Sequence, residues 1–247
     1  MNSTLKHKDR FVAKTRNTIL SILFCSLLNA APSADEILKQ SEKYRGLDEN
    51  YIVTVQVTNQ MGNAIQDESI FTVHVKDNTT SLVEQVSPAS ARGKKLLMVN
   101  NDLWMRTTDI KKAIRINLDQ KLTGEAANGD LAKTNFYTDY EPTIVEDTPK
   151  HYKLHLKARH NQTTYQQINY YVSKSDFIPF KAEFMALSGK ILKNVEYAKP
   201  DKKVKNRLLI TKIKISDAVV KQRASILKYS QFKIQKIDDV VFNRASL

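Results

Sequence analysis

Apolar and polar positions along this chain follow two regimes. Over residues 34–46 the apolar stripe Ala34, Ile37, Leu38, Ser41, Tyr44 recurs at the spacing of one helix face. Asp35 and Glu36 open this segment, Lys43 and Arg45 close it, and Gly46 is a natural stop. The spacing predicts a helix over 34–46 that lies on something apolar.

From Tyr51 onward the period is two. Tyr51, Val53, Val55 and Val57 alternate with Ile52, Thr54, Gln56 and Thr58, and Phe71, Val73 and Val75 alternate with Thr72, His74 and Lys76. Segments 96–99 and 103–106 flank Asn100-Asn101-Asp102 as a hairpin, and Ile114, Ile116 and Leu118 continue the alternation. Further runs lie near 152–156, 168–172, 180–184, 191–197, 213–215 and 232–237. Residues 124–140 break the alternation as a turn and a short helix, while 216–227 is ambiguous between strand and helix. The pattern predicts ten or eleven short strands in an antiparallel meander with one apolar face. Such a sheet cannot stay open and flat in water. The expected fold is therefore α+β: a strongly curved antiparallel sheet, a half-open barrel, with two or three helices plugging the concave side. Barrel mouths of this kind are where ligands bind.

Catalytic constellations are not apparent. The chain carries no G-x-S-x-G elbow, no H-E-x-x-H and no phosphate-cradling glycine loop. His151 and His155 have the spacing of a helical metal pair but lie in an alternating segment, where four residues span ~13 Å. They read as sheet-surface histidines, and neither a metal, a cofactor nor an enzymatic activity is expected.

Several runs carry a resemblance. Pro88-x4-Gly93-Lys94-Lys95-Leu96-Leu97-Met98, Asn101-Asp102-Leu103-Trp104-Met105, Ile114-Arg115-Ile116, Gln120-Lys121-Leu122-Thr123-Gly124, Ala127-Asn128-Gly129-Asp130-Leu131-Ala132 and Asn135-Phe136-x2-Asp139-Tyr140 are similar, in order and spacing, to the outer membrane lipoprotein-sorting protein family, relatives of the LolA-type periplasmic carriers. Ala34-Asp35-Glu36-Ile37-Leu38 and Ser188-Gly189-Lys190-Ile191-Leu192-Lys193 match too, so the resemblance spans roughly residues 34–200. Met105-Arg106-Thr107-Thr108 departs from the pattern by lacking an aromatic residue and a proline, and the region after Lys199 has no counterpart. The resemblance implies a half-open barrel with a helical lid and a cavity for acyl chains, and it brings no catalytic residues.

A long acyl chain, at ~0.8 kcal/mol per CH₂ buried, does not cross an aqueous gap unaided. The expected function is thus a non-enzymatic periplasmic carrier of lipid or lipoprotein acyl chains. The alternative is a periplasmic sensor or adaptor of the same fold that binds a membrane regulator or exporter protein. Candidate cavity-lining residues are Phe71, Val73, Val75, Leu97, Leu103, Trp104, Ile114 and Ile116. Asn128, Gly129 and Asp130 are expected to shape the start of the lid helix, with Asp130 near its N-terminus and Gly129 at a positive φ.

Charge and composition refine this picture. Residues 1–30 join a basic stretch (Lys6, Lys8, Arg10, Lys14, Arg16) to an apolar run over 19–28 and small residues at Ala30-Ala31, the pattern of a secretory signal cleaved near Ala30. Cleavage would remove Cys25, the only cysteine, and leave one domain over 31–247. It would also take the formal charge from +13 to +9, and residues 199–247, with thirteen Lys/Arg against four acids, hold all of that excess. This basic C-terminal segment could face an anionic membrane surface or an inner-membrane exporter. Nucleic acid is excluded as a partner by export. With 41% hydrophobic and 26% charged residues the composition is that of an ordinary globular domain.

Overall fold

The helix and the strands that the alternation predicts are present in the computed structural model, which describes residues 31–109, 112–132 and 136–247. The export signal read over 1–30 lies outside the described residues. Pro32–Leu247 forms one compact unit.

Helix α1 (Ala34–Glu42) starts where Ser33 Oγ accepts from the Glu36 amide at 3.2 Å, with Asp35 and Glu36 in the first turn. It is shorter than expected. Residues 43–45 continue as tighter i→i+3 turns, with the Lys43, Tyr44 and Arg45 amides donating to the Gln40, Ser41 and Glu42 carbonyls. Ile37 and Leu38 are fully buried against the sheet.

The strands are β1 (Tyr51–Met61), β2 (Ala64–Val75), β3 (Thr80–Ser87), β4 (Lys95–Val99), β5 (Asp102–Arg106), β6 (Ile114–Ile116), β7 (Lys121–Thr123), β8 (Ala126–Ala127), β9 (Tyr140–Asp147), β10 (His151–Ala158), β11 (Gln167–Ser173), β12 (Pro179–Met185), β13 (Ile191–Tyr197), β14 (Lys202–Val204), β15 (Arg207–Leu209), β16 (Lys212–Asp217) and β17 (Arg223–Ile234). A second helix, α2 (Asn128–Ala132), follows β8. Thirteen strands form one open sheet in the order β6-β5-β4-β3-β2-β1-β17-β16-β13-β12-β11-β10-β9, with β7–β8 and β14–β15 as separate hairpins.

Thirteen strands rather than ten or eleven is a correction with a physical cause. The alternation misses β3 and β9. Strand β3 is buried on both faces, so Leu82 and Val83 are adjacent and both inside, while β9 is an edge strand that is mostly exposed. The ambiguous stretch 216–227 holds the end of β16, a turn and the start of β17, and the last strand begins at Arg223, well before residue 232.

The basic C-terminal segment sits in the middle of the sheet. Strand β17 pairs with β1 over nearly its whole length, Tyr51 opposite Ile234 through Met61 opposite Arg223, and β16 joins β17 to β13. Two meanders, β1 to β6 and β9 to β13, therefore run outward from strands that the end of the chain supplies.

The sheet is strongly bent. Ser81 Oγ on β3 donates to the Ala132 carbonyl at 2.7 Å, while Phe136, four residues on, meets the Tyr170 ring on β11 at 5.6 Å. Four residues reach at most ~14 Å. On a flat sheet β3 and β11, seven positions apart, would be roughly 33 Å from each other, a span that this path could bridge only with the chain and every side chain fully extended.

Candidate functional site

The topology itself creates a lid. Strands β6 and β9 are opposite edges of the sheet, so the chain between them, 117–139, must traverse from one edge to the other, and it carries β7, β8 and α2. It is stapled to the central strands. Ser225 Oγ accepts from the Glu125 amide at 2.7 Å and donates to Asn59 Oδ1 at 2.6 Å, and Asn59 Nδ2 donates to Thr123 Oγ1 at 2.8 Å. Gly124, at φ +51°, lies so close to Asn59 and Ser225 that a Cβ would run into both side chains. Next, the Asn128 and Gly129 amides donate to the Gln120 and Leu118 carbonyls, and Asn128 Nδ2 donates to the Asn117 carbonyl. Asp130 stands in the first turn of α2 and accepts from the Ala127 amide at 2.7 Å, as expected for an acid at a helix start. Gly129 is not at a positive φ, contrary to expectation. Its requirement is steric, because a Cβ there would collide with Thr164 Oγ1.

Between lid and sheet is an apolar cavity of about 50 Å³. Its floor is Val53 and Val55 of β1, Val73 of β2, Val195 of β13, Ile215 of β16 and Leu227 of β17. An aromatic ring of Tyr51, Tyr197, Tyr229, Phe184 and Phe232 surrounds that floor, and Gly129, Asp130, Leu131 and Phe136 of the lid close it. Leu209 of β15 and the adjoining Ile210 line it as well.

Two buried polar clusters hold the lid down. At the end of α1, Glu42 Oε1 accepts from Arg45 Nη1 at 2.9 Å, while Glu42 Oε2 accepts from the Phe136 amide at 3.1 Å. The Arg45 guanidinium lies 3.9 Å from the Phe136 ring centre and 5.6 Å from that of Tyr197. Burial raises the Glu42 carboxyl above its ordinary value, with the Arg45 charge opposing it. The Tyr197 hydroxyl is pushed up to about 12, again by burial. In the second cluster the Tyr165 hydroxyl donates to both oxygens of Asp130 at 3.1 and 3.0 Å. Lys193 Nζ donates to the Glu125 carbonyl at 2.6 Å and to Tyr165 Oη at 3.0 Å, and it stands 4.0 Å from Asp130. Burial pushes the Asp130 carboxyl up, and Lys193 opposes that shift. Tyr165 is stacked on Phe184 at 4.1 Å.

The expected cavity residues are divided by the sheet. Phe71, Val73, Val75 and Leu103 are buried in the main core on the concave side, but of these four only Val73 reaches the cavity wall. Ile116 packs on the edge of that core, and Ile114 is 42% exposed. Leu97 and Trp104 lie on the opposite face and cannot line the cavity. Their parity along β4 and β5 turns them to the convex side, where they pack with Leu82, Ile237, Phe242 and Leu247. The last residues of the chain form two short 3-10 turns (Asp239–Phe242 and Arg244–Ser246) that cover this patch. Arg106 donates to the Leu247 carbonyl, and the Arg244 guanidinium lies 4.5 Å from the Trp104 ring centre. Sequence reasoning missed the actual floor on β1, β13, β16 and β17, together with Arg45 and the aromatic ring. The inward parity of Phe184, Tyr197 and Tyr229 was the available signal. His151 and His155 bond to different partners on the sheet surface, His151 to Thr148 and Glu146, His155 to Asn169.

A bent, open antiparallel sheet whose edge-to-edge crossover closes an apolar cavity defines a half-open barrel with a lid. A family model described as "Uncharacterized protein" matches residues 77–247. No curated protein matches the chain. Among solved structures the chain is similar to a LolA superfamily protein from Nitrosomonas europaea, with 33% identity, a TM-score of 0.82 and coverage of 88% of this chain and 100% of that one. At that identity and coverage, the chain belongs to the LolA superfamily. It shares its fold with an outer membrane lipoprotein-sorting protein domain from Vibrio parahaemolyticus (16% identity, TM-score 0.72, covering 86% and 97%). The same holds for a DUF1329 family protein from Desulfovibrio piger (13% identity, TM-score 0.72, covering 88% and 100%).

Proposed function

We propose that this protein is a periplasmic, non-enzymatic carrier that takes the acyl chains of a lipid or lipoprotein into the cavity beneath its crossover lid. The observation that carries the reading is an apolar cavity roofed by a segment fastened through side-chain clamps. At about 50 Å³ the cavity is well below the ~300 Å³ of small ligand pockets, so this is the closed form. Opening needs Leu131 and Phe136 of the lid to leave the sheet while the thirteen-strand ladder stays intact. The contacts that break are those of Phe136 with Glu42 and Arg45, and those of Asp130 and the Glu125 carbonyl with Tyr165 and Lys193. Superfamily membership and the signal pattern over 1–30 support export to the periplasm and a carrier role.

The test is uptake of a fluorescent fatty-acid probe by the chain from Ala31. Saturable binding near one or two acyl chains per protein is expected, with unlabelled fatty acid competing. Absence of saturable uptake overturns the carrier reading and leaves the adaptor of the same fold, which binds protein and not lipid.

A further inference from the structure

The cavity has a basic, partly apolar flap at one end. The β14–β15 hairpin interrupts the passage from β13 to β16. Its inner side is part of the core, with Leu209 in the cavity wall and Val204 packed on the main cluster. Its outer side presents Lys203 and Leu208, which pair across the hairpin, Leu208 being 44% exposed, while Lys202 at its start and Lys205 at its tip are exposed at its ends. Beside it, Lys212 of β16 stands directly opposite Lys228 of β17. Like charges at opposed positions destabilise a sheet. Among the described residues, Lys199, Lys202, Lys203, Lys212, Lys228 and Lys233 have no carboxylate within 4.0 Å. The hairpin is tied to the loop after α1 by two ion pairs, Lys205 with Glu49 and Arg207 with Asp48, and by Arg207 Nη1 on the Gly46 carbonyl, while at its base the Ile210 amide donates to the Tyr44 carbonyl at 2.8 Å.

We propose that this hairpin and the adjoining outer ends of β16 and β17 are a docking surface for an anionic lipid bilayer, which presents the hairpin end of the cavity to the membrane. The inference rests on the carrier reading for its purpose but not for its test. Three features favour a bilayer over an acidic protein. The unpaired lysines spread across a hairpin and two strands and not into one groove. An exposed leucine stands among them, placed to enter the headgroup layer. The reverse of the same hairpin is cavity wall. Phosphate headgroups are also suited to replace Glu49 and Asp48 as partners of Lys205 and Arg207, which would loosen the flap where lipid must pass.

The test is co-sedimentation with phosphatidylcholine vesicles, with and without phosphatidylglycerol. Binding is expected only to the anionic vesicles, and it should fall steeply from about 0.1 M to about 1 M salt as the screening length drops from ~10 to ~3 Å. Each lysine removed from the surface should cost about five-fold, so Lys202→Gln/Lys203→Gln should bind roughly 25-fold more weakly. Leu208→Ser should weaken binding with the salt slope unchanged. Lys190→Gln, in the turn before β13 at the other end of that strand, should bind as wild type. All of these are surface changes, and unchanged far-UV circular dichroism and melting establish that the variants fold. Equal binding to neutral vesicles, no binding to anionic ones, or full binding by Lys202→Gln/Lys203→Gln overturns the proposal. Fatty-acid uptake in the absence of vesicles should be unaffected by these substitutions, so a failure of the docking surface and a failure of the cavity give different results.

Discussion

The buried pair that holds the lid makes a quantitative prediction. Arg45→Met removes the guanidinium that lies on Phe136 and leaves the Glu42 carboxylate buried with, among the described residues, only the Phe136 amide as a partner. Breaking a buried ion pair from one side costs about 3–5 kcal/mol, because the remaining charge is uncompensated. For a domain of this size that is a fall in Tm of roughly 6–20 °C. Glu42→Gln should cost a comparable amount by stranding Arg45. The double variant Glu42→Gln/Arg45→Met keeps a carbonyl for the Phe136 amide and leaves no buried charge, and Arg45 Nε already lacks a partner in the native protein. It should therefore return to within about 2 kcal/mol of wild type. The single variant also carries a pH signature. Burial raises Glu42 above its ordinary value of 4.5, and Arg45 is what restrains that shift. Without Arg45 the folded state holds the proton more tightly still relative to the unfolded chain, so the deficit is smallest below pH ~4.5 and grows as pH rises through the higher folded value. Urea unfolding of all four proteins between pH 4 and pH 8 measures this. A loss below about 1 kcal/mol for Arg45→Met, or a deficit that shrinks with rising pH, refutes the reasoning.

Filling the cavity separates a true vacancy from ordinary core. Val195→Ile should stabilise by up to ~0.8 kcal/mol and slow fatty-acid uptake, whereas a well-packed floor would make it destabilising by about 1–3 kcal/mol. Phe242→Ala should cost about 3–5 kcal/mol in urea unfolding, since Phe242 is buried over Leu97 and Trp104 on the convex face, and a loss under 1 kcal/mol would show that the C-terminal turns do not cover that face. Gly124→Ala should destabilise by at least about 1 kcal/mol through its φ and its collision with Asn59 and Ser225, and amide exchange should quicken in 123–127 ahead of the central strands.

Most of the fold was legible in the sequence because period-two alternation is a property of strands with one dry face. It failed where that condition fails. Strand β3 and its neighbour β4 are wrapped on the convex side by the last residues of the chain, so Leu82-Val83 and Leu96-Leu97-Met98 read as continuous apolar runs and conceal which side chain points where. The same wrapping put Leu97 and Trp104 on the wrong face. The site was less legible because which strands form the floor depends on sheet order, and order is set by a pairing between the first strand and the last, Tyr51 with Ile234, that no local pattern announces. Arg45 and Glu42 read as ordinary surface charges at a helix end. They are buried because the crossover from β6 to β9 passes over them, a consequence of topology and not of spacing.

The central claim, that the space between the crossover lid and the sheet is an acyl-chain cavity, is tested most directly by native mass spectrometry of the chain from Ala31, purified without detergent from cells that export it, followed by solvent extraction. A bound species with the mass of a phospholipid or an acylated peptide near one per chain is expected, reduced in Val195→Ile. A uniformly lipid-free mass, unchanged after incubation with fatty acid, would contradict it.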